Sequence, residues 1–329
     1  MKLKTILPLS LLLLVTAFTA SLALGARWVP ITDVFDVVMN QNTSTMNARV
    51  VLERIPRTVF GIIAGAALGV SGTLMQAITR NPIADPSILG VNTGASLFVV
   101  SGIAFFNIGT ANAFILFALM GAVLTSVFVF GIGAMGSGGS TPIKLALAGA
   151  ATSAALSSIV SAIMLPRTEV MNAFRFWQVG SISGATWEGI TAIIPLITIG
   201  LIVAFIYAPS FDALSLGDDV ATGLGVRTGH VRLIGAIAGI LLCGATTALA
   251  GPIGFVGLMV PHALRMLLGP NLKVIIPFSA LFGATLLLFS DVIGRLLGGV
   301  GELEVGVVTA FIGAPILILI AMRAKGRAL

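Results

Sequence analysis

Pro86-Ser-Ile-Leu-Gly-Val-Asn-Thr-Gly-Ala-Ser-Leu-Phe-Val-Val-Ser-Gly-Ile-Ala-Phe-Phe106 opens a run without a single charge between Asp85 and Lys144. A helix needs roughly 20 apolar residues to cross the hydrocarbon core of a bilayer, so this run has room for two. Asn107-Ile-Gly-Thr-Ala-Asn112 and Gly136-Ser-Gly-Gly-Ser-Thr-Pro142 supply the breaks. A membrane barrel would instead alternate apolar and polar residues in segments of about 10, which this chain does not do. The remaining composition agrees with a helical membrane protein: 57% of the residues are hydrophobic and 9% are charged, against about 25% charged in soluble domains.

Working outward, Thr5 to Ala26 reads either as a secretory signal peptide ending in small residues or as a first span; the membrane-embedded remainder favours the span. A polar segment, Arg27 to Arg57, precedes a second span from Thr58 to Thr79. Spans three and four fill the charge-free run, the fifth covers Leu145 to Pro166, and the sixth runs from Gly189 to about Tyr207. Gly251-Pro252 interrupts the next apolar stretch, since glycine frees the backbone and proline lacks an amide donor. It divides a seventh span, ending at Ala250, from a short eighth, Ile253 to about Leu268. Val274 to about Leu297 and Val305 to Met322 complete ten spans in one transmembrane domain covering residues 1–329. Lys and Arg bias sets orientation. With the N-terminus inside, Lys2, Lys4, Arg80, Lys144, Arg227, Arg232, Arg265, Lys273 and the basic C-terminal residues are inner, which predicts cytoplasmic termini and accounts for the net charge of +6 without nucleic acid. Gly61, Gly65 and Gly69, with Gly235 and Gly239, recur at four-residue spacing, the ordinary signature of close helix packing.

Enzymatic chemistry is poorly supplied. His230 and His262 are far apart, Cys243 is the sole cysteine, no metal-ligand spacing occurs, and Gly136-Ser-Gly-Gly-Ser140 lacks the lysine of a phosphate-binding loop. The chain is therefore expected to bind no metal or cofactor and not to hydrolyse ATP alone. Secondary transporters carry ionisable relays within their spans. Only Asp291 approaches that description, and Arg295, one helical turn on, is placed to satisfy it. Energy is then expected from a partner.

Between spans six and seven the chain turns polar: Ala213-Leu-Ser-Leu-Gly-Asp-Asp-Val-Ala-Thr-Gly-Leu-Gly-Val226. Asp218 or Asp219 suits a helix start, Val220, Ala221 and Leu224 supply an apolar face, and Gly225 suits a left-handed terminator. A solvated loop with incidental leucines is the plainer alternative.

Arg54-Ile-Pro-Arg57, Gly65-Ala-Ala-Leu-Gly-Val-Ser-Gly-Thr-Leu-Met-Gln76, Arg80-Asn-Pro-Ile-Ala-Asp-Pro86 and Ala250-Gly-Pro-Ile-Gly-Phe-Val-Gly-Leu-Met-Val-Pro-His-Ala-Leu-Arg265, with Glu302-Leu-Glu304 behind them, together resemble the FecCD-type permeases of ABC importers for iron-siderophores, haem and cobalamin. The resemblance covers essentially the whole chain. It implies an all-α, type II importer fold with ten spans in a bacterial cytoplasmic membrane. The partners it implies are a second permease subunit, identical or paralogous, two cytoplasmic ATPases that bind ATP and Mg, and an external binding protein. It assigns ATPase coupling to Leu214, Leu216, Gly217, Asp218, Asp219, Val220, Leu224 and Gly225. Binding-protein docking falls to Arg54, Arg57 and Arg295, with helix anchoring at the headgroups as the competing role. A cytoplasmic narrowing falls to Asn81, Pro82, Ile83, Ser140 and Thr141. Iron-siderophore is the commonest cargo of such permeases; haem and cobalamin stay open, and an ion-coupled transporter or channel is the rival class. Where such permeases often have Glu-Leu-Pro, this chain has Glu302-Leu-Glu304.

Overall fold

The structure is a computed structural model that describes residues 2–40, 43–135 and 141–325. Among the described residues every regular element is helical. Among the described residues seven helices are long and apolar enough to cross a membrane: α1 (Lys2–Ala23), α3 (Met46–Thr79), α5 (Ala111–Ala134), α6 (Pro142–Met164), α8 (Trp187–Ile206), α11 (Thr228–Ala250) and α13 (Leu272–Gly298). Shorter apolar stretches are α4 (Val91–Phe106), α12 (Val256–Leu268) and the part Val305–Leu319 of α14 (Val305–Lys325). The remaining four, α2 (Ile31–Asn40), α7 (Thr168–Val179), α9 (Ala208–Ser215) and α10 (Asp218–Gly223), lie in the connections. The break expected at Gly136–Pro142 lies largely outside the described residues.

Helix α3 is the axis of the bundle. It starts at Met46 rather than at Thr58, capped by Thr45, whose hydroxyl accepts the Ala48 N–H at 3.1 Å. The end of the segment expected to be polar, up to Arg57, is thus helical, and the helix runs through Pro56. Arg80 ends it in the left-handed conformation, φ 49°. The stripe of α3 that carries Gly65, Gly69 and Gly72 has no side chain, which lets neighbouring backbones close in. A Cβ at Gly65 would overlap Gly283 and Ala284 of α13, one at Gly69 would overlap the Ser279 carbonyl, and one at Gly72 would overlap Gly257 of α12. The glycine spacing therefore serves packing here, and polar ties reinforce it: Thr73 Oγ1 donates to Ser279 Oγ at 2.9 Å, and Ser71 Oγ donates to the Gly239 carbonyl at 2.8 Å.

The Gly251-Pro252 break is where the sequence put it, but α12 begins only at Val256, after Phe255 in the left-handed region at φ 68°. Thirteen residues rise about 20 Å, less than the roughly 30 Å of hydrocarbon. The irregular backbone before α12 is thus held within the membrane thickness, where it must be covered by protein. It is: the Ala250 carbonyl accepts Ser181 N–H at 2.7 Å, Phe255 packs at Gly313 of α14, and Gly180, at the end of α7, lies against Pro252.

Candidate coupling and docking sites

Polar groups collect at the two ends of the bundle. At one end the last turn of α3 meets α9, α10 and the start of α11. Phe211 and Leu214 of α9 are fully buried, and the Asp212 carboxylate accepts the Leu272 N–H at 2.7 Å, fastening α9 to the start of α13. Asp218 or Asp219 was expected to cap α10. Its helix has Gly217 at the cap, φ 121°, with no side-chain cap bond. Asp218 and Asp219 stand instead in the first turn, where their charge still suits the helix dipole. The Asp218 carboxylate accepts from Arg232 of α11 at 2.7 and 3.0 Å and from Arg80 of α3. Arg80 also donates through Nε to the Leu214 carbonyl at 3.0 Å. One carboxylate thereby joins α3, α10 and α11.

Gly225, at φ 80°, ends α10 as expected: its N–H reaches the Thr222 carbonyl at 2.9 Å while Val226 N–H reaches Ala221 at 2.9 Å, the paired bonds of a Schellman cap. The apolar residues of the segment then divide. Leu214 and Ala221 face the bundle and are buried, so Leu214 is core and not part of an outer face. Leu216 (64% exposed), Val220 (50%) and Leu224 (64%) face outward.

Beside this face a cavity of about 540 Å³ is lined by Gln76, Arg80, Pro82, Asp212, Arg265 and Asn271 among others. Arg265 Nη1 donates to Gln76 Oε1 at 2.5 Å, and Gln76 Nε2 reaches back to the Gly257 and Leu258 carbonyls at 3.3 and 3.2 Å. Both residues lie in the motifs quoted above, but nothing in a linear motif shows that they meet. Asn81 Oδ1 accepts the Ile83 N–H at 3.1 Å, tightening the turn through Pro82 and leaving Ile83 partly exposed. Thr141 caps α6 at the same end of the bundle, its hydroxyl accepting Lys144 N–H at 3.4 Å; Ser140 lies outside the described residues. Asp85 caps the following turn through Ser87 N–H at 2.9 Å. Burial pushes its carboxyl above the ordinary value, against the opposing effect of that bond.

At the opposite end four charges share one knot. Asp291 of α13, 1% exposed, accepts from Arg57 Nε at 3.0 Å and Nη2 at 2.7 Å. It also pairs with Arg295 at 3.0 Å across one helical turn. Arg57 Nη1 donates to Glu302 Oε2 at 2.7 Å. Arg295 continues to Ser21 of α1, through the carbonyl at 3.0 Å and the hydroxyl at 3.1 Å, and Ser21 Oγ lies 2.8 Å from Thr58 Oγ1. Arg54 donates to the carbonyls of Leu22 at 2.8 Å and Arg27 at 2.7 Å. The three arginines expected to face outward thus converge, but not equivalently. Arg295 is only 2% exposed and acts inside the α1–α13 seam; Arg54 and Arg57 keep part of their surface. Glu302, at φ 32°, is steered onto Arg57, which gives the loop before α14 an anchor despite its lacking proline.

Residues 12–323 match the model of the FecCD transport family. Among similar proteins, the ferric enterobactin transport system permease protein FepD of Escherichia coli (strain K12) is 42% identical over 313 residues, covering 95% of this chain and 93% of its own. The Fe(3+)-citrate import system permease protein YfmD of Bacillus subtilis (strain 168) is 40% identical, covering 97% and 94%. A solved metal-chelate type ABC transporter in an inward-facing conformation superposes with a TM-score of 0.83 at 27% identity, over 97% of this chain and 99% of that one. The chain belongs to the FecCD transport family.

Proposed function

We propose that this chain is the permease subunit of an ATP-driven importer of ferric siderophore complexes in a bacterial cytoplasmic membrane. The seven long helices and the three shorter apolar ones make ten crossings, with both termini in the cytoplasm and the Arg80 end inside, as the Lys and Arg bias favours. Residues 1–329 form one domain that pairs with a second permease subunit. Two ATPases carry the ATP and Mg, and an external binding protein delivers ligand. The observation that carries this reading is the exposed apolar face of Leu216, Val220 and Leu224, in a chain whose relatives include permeases of ferric enterobactin and Fe(3+)-citrate systems.

An exposed amphipathic face suits a groove in a partner, and its bracing suits force transmission. ATPase motion applied at Leu216 and Leu224 passes through Asp218 to Arg80 on α3 and Arg232 on α11. Asn81, Pro82, Ile83 and Thr141 stand at this inner end as a narrowing that such motion opens, a role the family resemblance also gives to Ser140. At the outer end Arg54 and Arg57 meet carboxylates of the binding protein, with Arg295 and Asp291 holding Arg57 in position. Charge-assisted contacts of this kind set orientation and encounter rate.

Proteoliposomes holding the permease pair and its ATPases, supplied with the binding protein and radioiron-labelled catecholate siderophore, test the assignment. ATP-dependent accumulation is expected; accumulation of haem or cobalamin in its place moves the cargo, and uptake driven by an ion gradient without ATP overturns the class. In the same system Asp218→Ala should leave ATP hydrolysis running while siderophore uptake falls at least several-fold, because the brace to α3 and α11 is cut. Uptake in step with hydrolysis, as in the parent, removes Asp218 from the transmission path. Arg54→Gln should weaken binding-protein association, with a flatter salt dependence than the parent because one charge no longer contributes; unchanged affinity at every salt concentration removes Arg54 from docking.

A further inference from the structure

The polar connection between α1 and α3 contains a helix whose surface is divided into three sectors. Val34 and Val37 of α2 are buried against Leu22 and Ala23 at the end of α1 and Ala48 and Val51 in the first turns of α3. At 100° per residue, Asp33, Asp36 and Asn40 fall on a second sector, and their polar groups are engaged there. Asp36 accepts from Asn40 at 2.9 Å and Asp33 accepts from Asn47 at 2.6 Å. The third sector holds Ile31 (68% exposed), Phe35 (60%), Val38 (48%) and Met39 (63%). Trp28, three residues before the helix, is 67% exposed. Four large apolar side chains in one exposed stripe, with an exposed tryptophan just upstream in the chain, have no cover within the described residues.

Height in the membrane identifies the occupant. Thirty-four residues of α3 rise about 51 Å, well beyond the roughly 30 Å hydrocarbon core, so its first turns stand at the headgroup layer. Helix α2 packs at that level, beside the last turn of α1. Below it, α1 offers Leu7, Leu11, Leu12 and Val15 to the surroundings, all exposed, on a helix that crosses lipid. Exposed Arg27 and Arg49 flank α2 at the depth of lipid phosphates. An amphipathic helix with Phe on its apolar side lies in the interface, its apolar stripe sunk about 5–10 Å into the headgroup and acyl boundary; the basic residues that such helices carry on the polar face are here the flanking Arg27 and Arg49.

We infer that α2 is an interfacial helix seated on the bilayer itself, with Ile31, Phe35, Val38 and Met39 among the upper acyl chains and Asp33 and Asp36 turned to water. Its buried face ties the protruding end of α3, and with it Arg54 and Arg57, to a fixed height above the lipid. The single native cysteine makes the test direct. With Cys243→Ala as background, Phe35→Cys, Val38→Cys and Asp36→Cys are spin-labelled in turn and reconstituted in nanodiscs. Collision with lipid-soluble oxygen is compared with collision with a water-soluble nickel chelate. The oxygen-to-chelate ratio at 35 and 38 is expected to exceed that at 36 several-fold. Equal ratios at all three positions, or a chelate-dominated signal at 35 and 38, would place this stripe in water and leave it for a protein partner. Trp28 supplies a second readout, in a Trp177→Phe, Trp187→Phe protein without labels. Its fluorescence should be quenched by lipids brominated near the top of the acyl chain, and quenching by aqueous iodide alone would overturn the assignment.

Discussion

Asp291→Ala should lower the melting temperature of the detergent-solubilised protein more than any other single charge removal. Asp291 is the common counter-ion of Arg57 and Arg295 at 2.7 and 3.0 Å, and both it and Arg295 are almost completely buried. Breaking a buried pair by deleting one partner costs about 3–5 kcal/mol, because the orphaned charge stays buried. Here two guanidiniums are left facing each other, with Glu302 and Ser21 as their remaining partners. Asp291→Asn keeps the shape and one acceptor oxygen for Arg57, so its loss should be smaller. The same pair of variants separates a structural carboxylate from a proton relay. A relay predicts that the Asn protein keeps its fold and loses gradient-driven uptake; a structural role predicts that uptake falls only as far as folded protein falls. Thermal melts read beside uptake normalised to folded protein distinguish the two, and an unchanged melt for Asp291→Ala would remove the knot as a source of stability.

Gly72→Val is expected to abolish accumulation of folded protein. The new Cβ would overlap the backbone of Gly257, and a backbone held between two helices cannot swing aside as a side chain does. Overpacking a core typically costs about 1–3 kcal/mol, and this case belongs at or above the upper bound because α3 also meets α13 at Gly65 and Gly69. Gly131→Val in α5 is the matched control, since its Cβ meets nothing within 4 Å and the position is exposed. Size-exclusion profiles of the two variants, fluorescently tagged, should show loss of the monodisperse peak for position 72 and a parent-like peak for position 131. Equal profiles would mean that the α3–α12 contact yields more easily than its geometry implies.

The long charge-free runs made most of the membrane helices legible, since a bilayer imposes length and apolarity directly on sequence. Segments whose apolar residues are mixed with charge were harder. Helix α2 and the first turns of α3 read in the sequence as one polar stretch, because charged residues mask two short amphipathic faces that pack against each other and α1. Helix α7 was hidden likewise between Arg167 and Gly180. The pairing of Asp291 with Arg295 was visible as a one-turn spacing within a helix. Arg57, the third member, lies 234 residues away in sequence, and no local pattern joins it to Asp291. The same holds for Asp218, whose local position suits a cap while its partners, Arg80 and Arg232, come from two other helices. Leu214 and Leu216 are equivalent in composition and differ only in which side of a short helix they fall.

The central claim, that an ATPase grips the Leu216–Val220–Leu224 face, is most directly tested by affinity purification of the tagged permease in mild detergent. The parent protein should bring down an ABC ATPase with measurable ATP hydrolysis. The Leu216→Glu, Leu224→Glu protein should lose the ATPase while keeping the parent melting temperature, because both side chains are already exposed. Retention of the ATPase by that variant, or a parent permease that carries no ATPase and still moves siderophore into vesicles lacking ATP, would contradict it.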